Sequence, residues 1–134
     1  LLRYSNKLEQ IIDDKLRQNH KQNISRFDVL SQLEREKENG LTVGDLASRL
    51  IASKGNITGL IDRMQKDELI TKVSRTDDRR SYLISITDKG LKLFNEMAEN
   101  NAEWVEDALN AIDVESMSDF TKFLNQARQN LDLD

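Results

Sequence analysis

The segment from Ser53 to Lys66 carries on one face side chains that suit contact with nucleic acid. Asn56 is of the type that pairs with adenine through two hydrogen bonds, and Lys54 can bind a guanine or a phosphate. The hydroxyl of Thr58 adds a donor for phosphate oxygens. The pattern predicts a DNA-contacting helix whose contacts come from Ser53, Lys54, Gly55, Asn56, Thr58, Gly59 and Arg63.

Two glycines stand within this predicted helix, Gly55 and Gly59. Each lowers helix stability by about 1 kcal/mol relative to alanine. Close approach of the backbone to the wall of a DNA groove would explain them. The alternative is that they permit tight packing against another helix, and that Lys54 and Asn56 are ordinary solvated residues.

A cluster of charges follows, between two stretches with β-branched and alternating apolar residues, Leu69–Val73 and Tyr82–Ile86. The stretches predict a β-hairpin whose tip is formed by residues 74–81. Basic side chains on such a tip suit the negative potential of a narrow minor groove, where Asp78 would brace the guanidinium of Arg80. The predicted contacts are Arg75, Asp78, Arg79 and Arg80. Taken alone, such a cluster is more simply a solvated turn.

Apolar spacing and capping residues predict the helices that position these segments. An amphipathic helix is predicted over residues 1–18. A second helix is predicted from a cap at Ser25 to a stop at residues 39–40. Beyond the hairpin, Thr87 caps a long helix, and Ser116 or Ser118 starts a final one.

Thr42 and Asp45 resemble a capping box that opens a short helix, and Ser53 caps the helix after it. Helix, short helix, tight break, helix and charged hairpin therefore follow one another. This order predicts a mainly α fold with a small β-wing, the winged helix-turn-helix.

Composition excludes several kinds of site. The chain has no cysteine, which excludes disulfides, thiolate-bound metals and thiol-based redox sensing. His20, the one histidine, lies in a polar run and is interpreted as a solvated linker residue, so we expect no metal, no cofactor and no enzymatic activity. No apolar run approaches the roughly 20 residues of a membrane span, and no signal peptide is visible. A cytoplasmic protein with no membrane partner is expected.

Charge is unevenly distributed along the chain, whose net charge is −4. Residues 42–92 contain ten Lys and Arg against seven Asp and Glu, whereas residues 93–134 contain two against ten. A mildly basic middle favours contact with phosphates. The acidic last third leaves a second class of function open, a winged-helix module for protein–protein contact that docks through this region.

The stretch Leu41–Gly90 resembles the MarR family of bacterial transcription regulators. Three motifs carry the resemblance, in order and at compatible spacing. They are Leu-Thr-Val-Gly-Asp-Leu-Ala at 41–47, Ser53 with Asn-Ile-Thr-Gly-Leu-Ile-Asp-Arg-Met at 56–64, and Asp-Arg-Arg-Ser at 78–81 followed by Ile-Thr-Asp-Lys-Gly at 86–90. The family's Asp-x-Arg wing motif maps to Asp78 and Arg80.

The resemblance implies a homodimer that binds a pseudo-palindromic operator on double-stranded DNA, most simply as a repressor. Residues 1–23 and 91–134 would supply the dimerisation helices, and residues 24–90 the DNA-binding lobe. The stripes at 1–16 and 120–131 are too apolar for free ends, and packing across a two-fold axis would bury them. The alternative is that these helices fold back within one chain.

The resemblance also implies a small effector, since family members commonly release DNA when an anionic, often phenolic, compound binds between the two regions. Residues 24–30 and 55–59 resemble the branch that controls aromatic-acid catabolism, some of which respond to hydroxycinnamoyl-CoA thioesters. Arg26 would anchor the anion of an aromatic acid or acyl-CoA effector. The other candidates to line the pocket are Tyr4, Leu8, Ile11, Phe27, Leu30 and Trp104, for most of which core packing is the simpler interpretation.

Overall fold

The computed structural model describes residues 2–75, 78–111 and 114–130, and of residues 2–5, 78–81, 114–117 and 130 it describes the backbone alone. The helices are α1 (Leu2–His20), α2 (Ile24–Arg35), α3 (Val43–Leu50), α4 (Lys54–Lys66), α5 (Asp88–Asn110) and α6 (Val114–Asn130). Strands β1 (Ile70–Arg75) and β2 (Asp78–Ile86) lie between α4 and α5. The predicted winged helix-turn-helix order is confirmed. None of the helices described is long and apolar enough to cross a membrane.

The helices of the helix-turn-helix begin where their capping residues predict. The Thr42 hydroxyl accepts a hydrogen bond from the N–H of Asp45 at 3.1 Å, and the Asp45 carboxylate accepts one from the N–H of Thr42 at 3.1 Å. The Ser53 hydroxyl accepts from the N–H of Asn56 at 3.2 Å. These bonds satisfy amide groups that have no partner inside the helix, so both starts are fixed locally.

The start of α2 differs from the prediction. Asn23 is its cap, and the side-chain oxygen of Asn23 accepts from the N–H of Arg26 at 2.8 Å. Asparagine caps a helix at least as well as serine. Ser25 therefore lies within the first turn, and the predicted cap at Ser25 is wrong.

The end of α2 also differs. The helix ends at Arg35, and the chain turns before Gly40, which adopts a left-handed φ of 74°. A Cβ at Gly40 would lie 2.8 Å from the carbonyl oxygen of Ile84. The glycine therefore serves the turn toward the wing, and the predicted stop at residues 39–40 is wrong by about one turn of helix.

The prediction for His20 is wrong. α1 extends to His20, whose Nε2 lies 2.9 Å from Oδ1 of Asn100 in α5. The His20 ring also lies 6.1 Å from the Trp104 ring, centroid to centroid. The polar run around His20 suggests a linker, but the last turn of α1 packs on α5 and partly buries the histidine.

The last helix begins earlier than predicted. α6 starts at Val114, so the predicted starts at Ser116 and Ser118 lie inside the first turns.

The hairpin is longer than the sequence predicts. The two strands pair antiparallel, with Ile70 opposite Ile86, and the register shifts after Ser74. β2 begins at Asp78, so residues 78–81, predicted as part of a loop, belong to a strand. Backbone groups form the ladder, so a polar sequence does not prevent strand pairing.

One core joins the described part of α1 to α5 and the wing. Leu41 exchanges two backbone hydrogen bonds with Ile84, at 2.9 and 2.7 Å, which fastens the start of α3 to β2. The side chains with the least exposure are Leu16, Val29, Leu30, Leu33, Leu46, Ile61, Met64, Leu69, Ile70, Ile84 and Met97. The wing and the helix-turn-helix therefore form one packed unit.

The start of α5 passes close against the turn before β1. The Thr87 hydroxyl accepts from the N–H of Gly90 at 2.9 Å and donates to the carbonyl oxygen of Glu68 at 2.8 Å. A Cβ on Gly90 would overlap the carbonyl oxygen of Leu69 and lie 3.0 Å from Cγ1 of Ile86. Space alone therefore requires glycine at position 90.

We expect Gly90→Ala to lower the free energy of unfolding by about 2 kcal/mol, because the overlap involves backbone that cannot move aside freely. Gly55→Ala is the matched control. Its Cβ would meet no described heavy atom within 4 Å, and alanine favours a helix over glycine by about 1 kcal/mol. Urea unfolding followed by circular dichroism measures both variants. Wild-type stability of Gly90→Ala would contradict the close approach.

Candidate nucleic-acid interface

The start of α4 presents a continuous exposed surface. Residues 51–56 are all exposed. The opposite face of α4 is buried through Ile57, Leu60, Ile61 and Met64. The predicted contacts within and just before α4 that are exposed are Ser53, Lys54, Gly55, Asn56, Thr58 and Arg63. The helix therefore turns toward solvent the polar face that its spacing predicts.

The two glycines of α4 do not serve packing among the described residues. A Cβ at Gly55 would meet none of their heavy atoms within 4 Å, and one at Gly59 would meet only Nη1 of Arg63, at 3.4 Å. The interpretation that they allow another helix to approach is therefore wrong for this part of the chain. Because glycine has no side chain, a large partner can approach the backbone of α4 closely at these two positions.

Thr58 has a partner within its own helix. Its hydroxyl donates to the carbonyl oxygen of Lys54 at 2.8 Å. The hydroxyl proton is therefore used in this conformation. A phosphate bond from Thr58 would require the side chain to change its rotamer.

A cleft of about 430 Å³ lies between the start of α3, the start of α4 and the wing. Two lysines contribute to its wall. Lys54 comes from α4 and Lys72 from β1. The lining residues are Thr42, Val43, Gly44, Lys54, Thr58, Lys72 and Tyr82. Positive charge and hydroxyl groups thus face one space, which suits a phosphate group.

Lys72 is held in position from two sides. Its ammonium nitrogen lies 3.4 Å from Oδ1 of Asp62 and 4.6 Å from the centre of the Tyr82 ring. The predicted contact set omitted Lys72 and Tyr82. The signal was present, because in a strand Lys72 shares a face with Ile70, and that face packs on the helices.

Asp45 stays charged at the start of α3. The hydrogen bond from the Thr42 backbone, then the one from its hydroxyl, holds the pKa of the Asp45 carboxyl below its usual range. The positive charges of Arg49 and Arg75 act in the same direction. Arg75, a predicted contact at the end of β1, is exposed and near enough to influence α3.

The remaining wing candidates are placed by their backbone only. Asp78, Arg79 and Arg80 lie in β2. Their side chains fall outside the described part of the chain, so their contacts with DNA stay predictions.

Arg26, the predicted anion anchor, joins two helices. Its guanidinium lies 2.6 Å from Oδ2 of Asp67, the C-cap of α4, and 3.2 Å from Oε1 of Gln22. Arg26 and Asp67 line a cleft of about 380 Å³ together with Arg17 and Lys21. Three cations thus line this cleft, of which Arg17 is paired with Asp13 at 2.7 Å and Arg26 with Asp67.

The other residues predicted to line the effector pocket differ in how deeply they are buried. Leu30 is fully buried in the core, and the Phe27 ring packs 5.4 Å from the ring of Phe94. Leu30 is therefore a core residue, and Phe27 is partly buried and packs against the core. Leu8, Ile11 and Trp104 are partly buried, and the side chain of Tyr4 lies outside the described part.

A second titratable group borders α4. Asp28 lines a cleft of about 400 Å³ together with Asn56 and Arg63. Burial raises the pKa of the Asp28 carboxyl, and the negative charge of Glu9 raises it further. This neighbourhood could not be predicted from the sequence, because Asp28 lies in α2 and its neighbours lie in α4.

Comparison with known proteins agrees with this geometry. Residues 23–82 match the family model described as MarR family. The transcriptional activatory protein BadR of Rhodopseudomonas palustris is 43% identical over 61 residues, which cover 46% of this chain and 35% of BadR. The homoprotocatechuate degradative operon repressor of Escherichia coli is 35% identical over 51 residues, which cover 38% of this chain and 34% of that repressor. The match thus spans about a third of the length of each relative.

The fold extends beyond the matched segment. A Staphylococcus aureus MepR–DNA complex superposes with a TM-score of 0.75 at 21% identity, over 94% of this chain and 91% of MepR. This match spans nearly the whole chain, whereas the family model covers the helix-turn-helix and most of the wing. The resemblance to the MarR family that the three motifs predict is therefore confirmed over residues 23–82.

Proposed function

We propose that the protein is a DNA-binding transcriptional regulator. The observation that carries the proposal is the start of α4, where residues 51–56 are exposed and Gly55 faces open space beside a cleft bordered by Lys54 and Lys72. Amide groups at a helix start, hydroxyls and lysines are the groups that bind phosphates, and an exposed asparagine can pair with a base. The named relatives are transcription regulators.

The active form in this proposal is a homodimer. α6 contributes no residue to the main core cluster of the described chain. Its Leu124 is 50% exposed, beside the partly buried Phe123. Pairing across a two-fold axis would cover these apolar side chains of α6. It would also place the two α4 helices of the dimer about 34 Å apart, which is one turn of DNA.

The regulator would act as a repressor that an anionic aromatic acid, or its CoA thioester, releases from DNA. The name of the Escherichia coli relative places that protein in the control of an aromatic degradation operon. In this chain Arg26 is bound to Asp67 at the end of α4. An anion that took Arg26 from Asp67 would free the end of α4 and favour states that do not fit DNA.

We expect Asn56→Ala to reduce discrimination between the best operator and its variants by about 1–3 kcal/mol, if Asn56 pairs with a base. Asn95→Ala, an exposed change on α5, is the matched control. The measurement is fluorescence anisotropy on a duplex enriched from a random library by the wild-type protein. Unchanged discrimination would remove Asn56 from base recognition.

Arg80→Ala should weaken binding to all sequences, since one positive charge that contacts a phosphate or the minor groove is lost. The magnitude of the negative slope of log K against log salt should fall by about 1. Lys92→Ala, which removes one positive charge from the exposed side of α5, controls for net charge. Equal slopes for Arg80→Ala and Lys92→Ala would exclude a contact from the wing. Failure of the wild-type protein to enrich any inverted site would favour the protein–protein module instead.

The effector is tested by a gel shift on DNA upstream of the protein's own gene, with benzoates, cinnamates and their CoA esters. We expect one class to abolish the shift for the wild type. Arg26→Gln and Asp67→Asn both break the ion pair and should bind DNA more weakly without effector, but only Arg26→Gln should show no further loss when that class is added. Asp67→Asn is the control, because it releases Arg26 without removing it. A normal response in Arg26→Gln would exclude Arg26 as the anchor.

A further inference from the structure

Ile51 adopts a backbone conformation that its residue type disfavours. It is the C-cap of α3, with φ 52° and ψ 54°. In this left-handed region a β-branched residue is crowded, and glycine or asparagine is the usual choice. The Ile51 side chain is 94% exposed, so packing within the described chain does not compensate for the strain.

The other non-glycine residues with a left-handed backbone in the described chain carry side chains of a different type from Ile51. The non-glycine residues with positive φ in the described chain are Lys21 at 56°, Ile51 and Glu68 at 63°. Lys21 and Glu68 have unbranched, charged side chains that water solvates well. Ile51 combines an unfavourable backbone with an apolar side chain in solvent, and both features disfavour it in the isolated protein.

The position of Ile51 points to what could cover it. Ile51 precedes Ser53, the cap of α4, by two residues, and it opens the unbroken exposed run that ends at Asn56. In a helix-turn-helix, the first residues of the second helix lie nearest the base edges. A side chain on the same surface, just before that helix, therefore lies beside the duplex.

We propose that Ile51 contacts an apolar part of the operator, either the C5-methyl group of a thymine or the face of a deoxyribose. This inference rests on the proposed DNA-binding function. The thymine methyl is the apolar group that the major groove offers, and proteins contact it with apolar side chains. Ile51 thereby contributes to sequence selection, and its strain is retained because the bound state uses the side chain.

The test uses the operator that the full chain enriches from random duplexes. Ile51→Gly relieves the left-handed strain, so its melting temperature should rise by a few degrees. Its affinity for the operator should fall about fivefold, the effect of losing one small apolar contact. Ile51→Leu keeps an apolar side chain and should bind close to wild type.

Glu68→Gly is the matched control, because it relieves the same backbone conformation at the other end of α4. It should raise the melting temperature and leave operator affinity unreduced. A higher melting temperature with unchanged affinity in Ile51→Gly would overturn the proposal.

Replacing each operator thymine by deoxyuridine, one at a time, identifies the group that Ile51 contacts. One substitution that weakens the wild type but not Ile51→Gly assigns the contact to that methyl group. If no substitution does so while Ile51→Gly still binds more weakly, the contact is to deoxyribose. If the wild type enriches no operator, the DNA-binding proposal fails, and this inference fails with it.

Discussion

Burial of one face of α4 is the constraint on which the candidate interface depends. Ile57, Leu60, Ile61 and Met64 are all buried, and each contributes roughly 1.5–3 kcal/mol by leaving water. The two glycines of the helix cost together about 2 kcal/mol in helix propensity. Packing therefore outweighs propensity, and α4 can keep an outer surface that an isolated helix would not tolerate.

Local chemistry could be predicted from the sequence, and contacts between distant segments could not. The caps at Thr42, Ser53 and Thr87 were predictable, because each bond joins residues three positions apart. His20 was misinterpreted because its partner, Asn100, is 80 residues away. The extent of β2 was underestimated because strand pairing depends on the facing strand, whereas the charged residues at 78–80 suggested a loop.

The residues of the candidate site also fall into two groups, those predictable from local spacing and those that depend on contacts between distant segments. The polar face of α4 follows from helical spacing, so its exposed members could be named from the sequence. The placement of Lys72 by Asp62 and Tyr82 needs the helix, the hairpin and their register together. The pair between Arg26 and Asp67 joins residues 41 positions apart. Arg26 is 14% exposed and Asp67 52%, so the pair is open to solvent mainly on the side of the carboxylate.

The close contact between Gly90 and the carbonyl oxygen of Leu69 has a consequence for how α5 can move. A Cβ at Gly90 would overlap the carbonyl oxygen of Leu69, so the first turn of α5 lies directly against the wing base and a displacement of one is passed to the other. α5 has 23 residues and is about 35 Å long, and its middle touches the end of α1 through Asn100. A rotation of the helix by about five degrees would carry its far end through roughly 3 Å, so α5 is a rigid lever between the N-terminal helix and the hairpin.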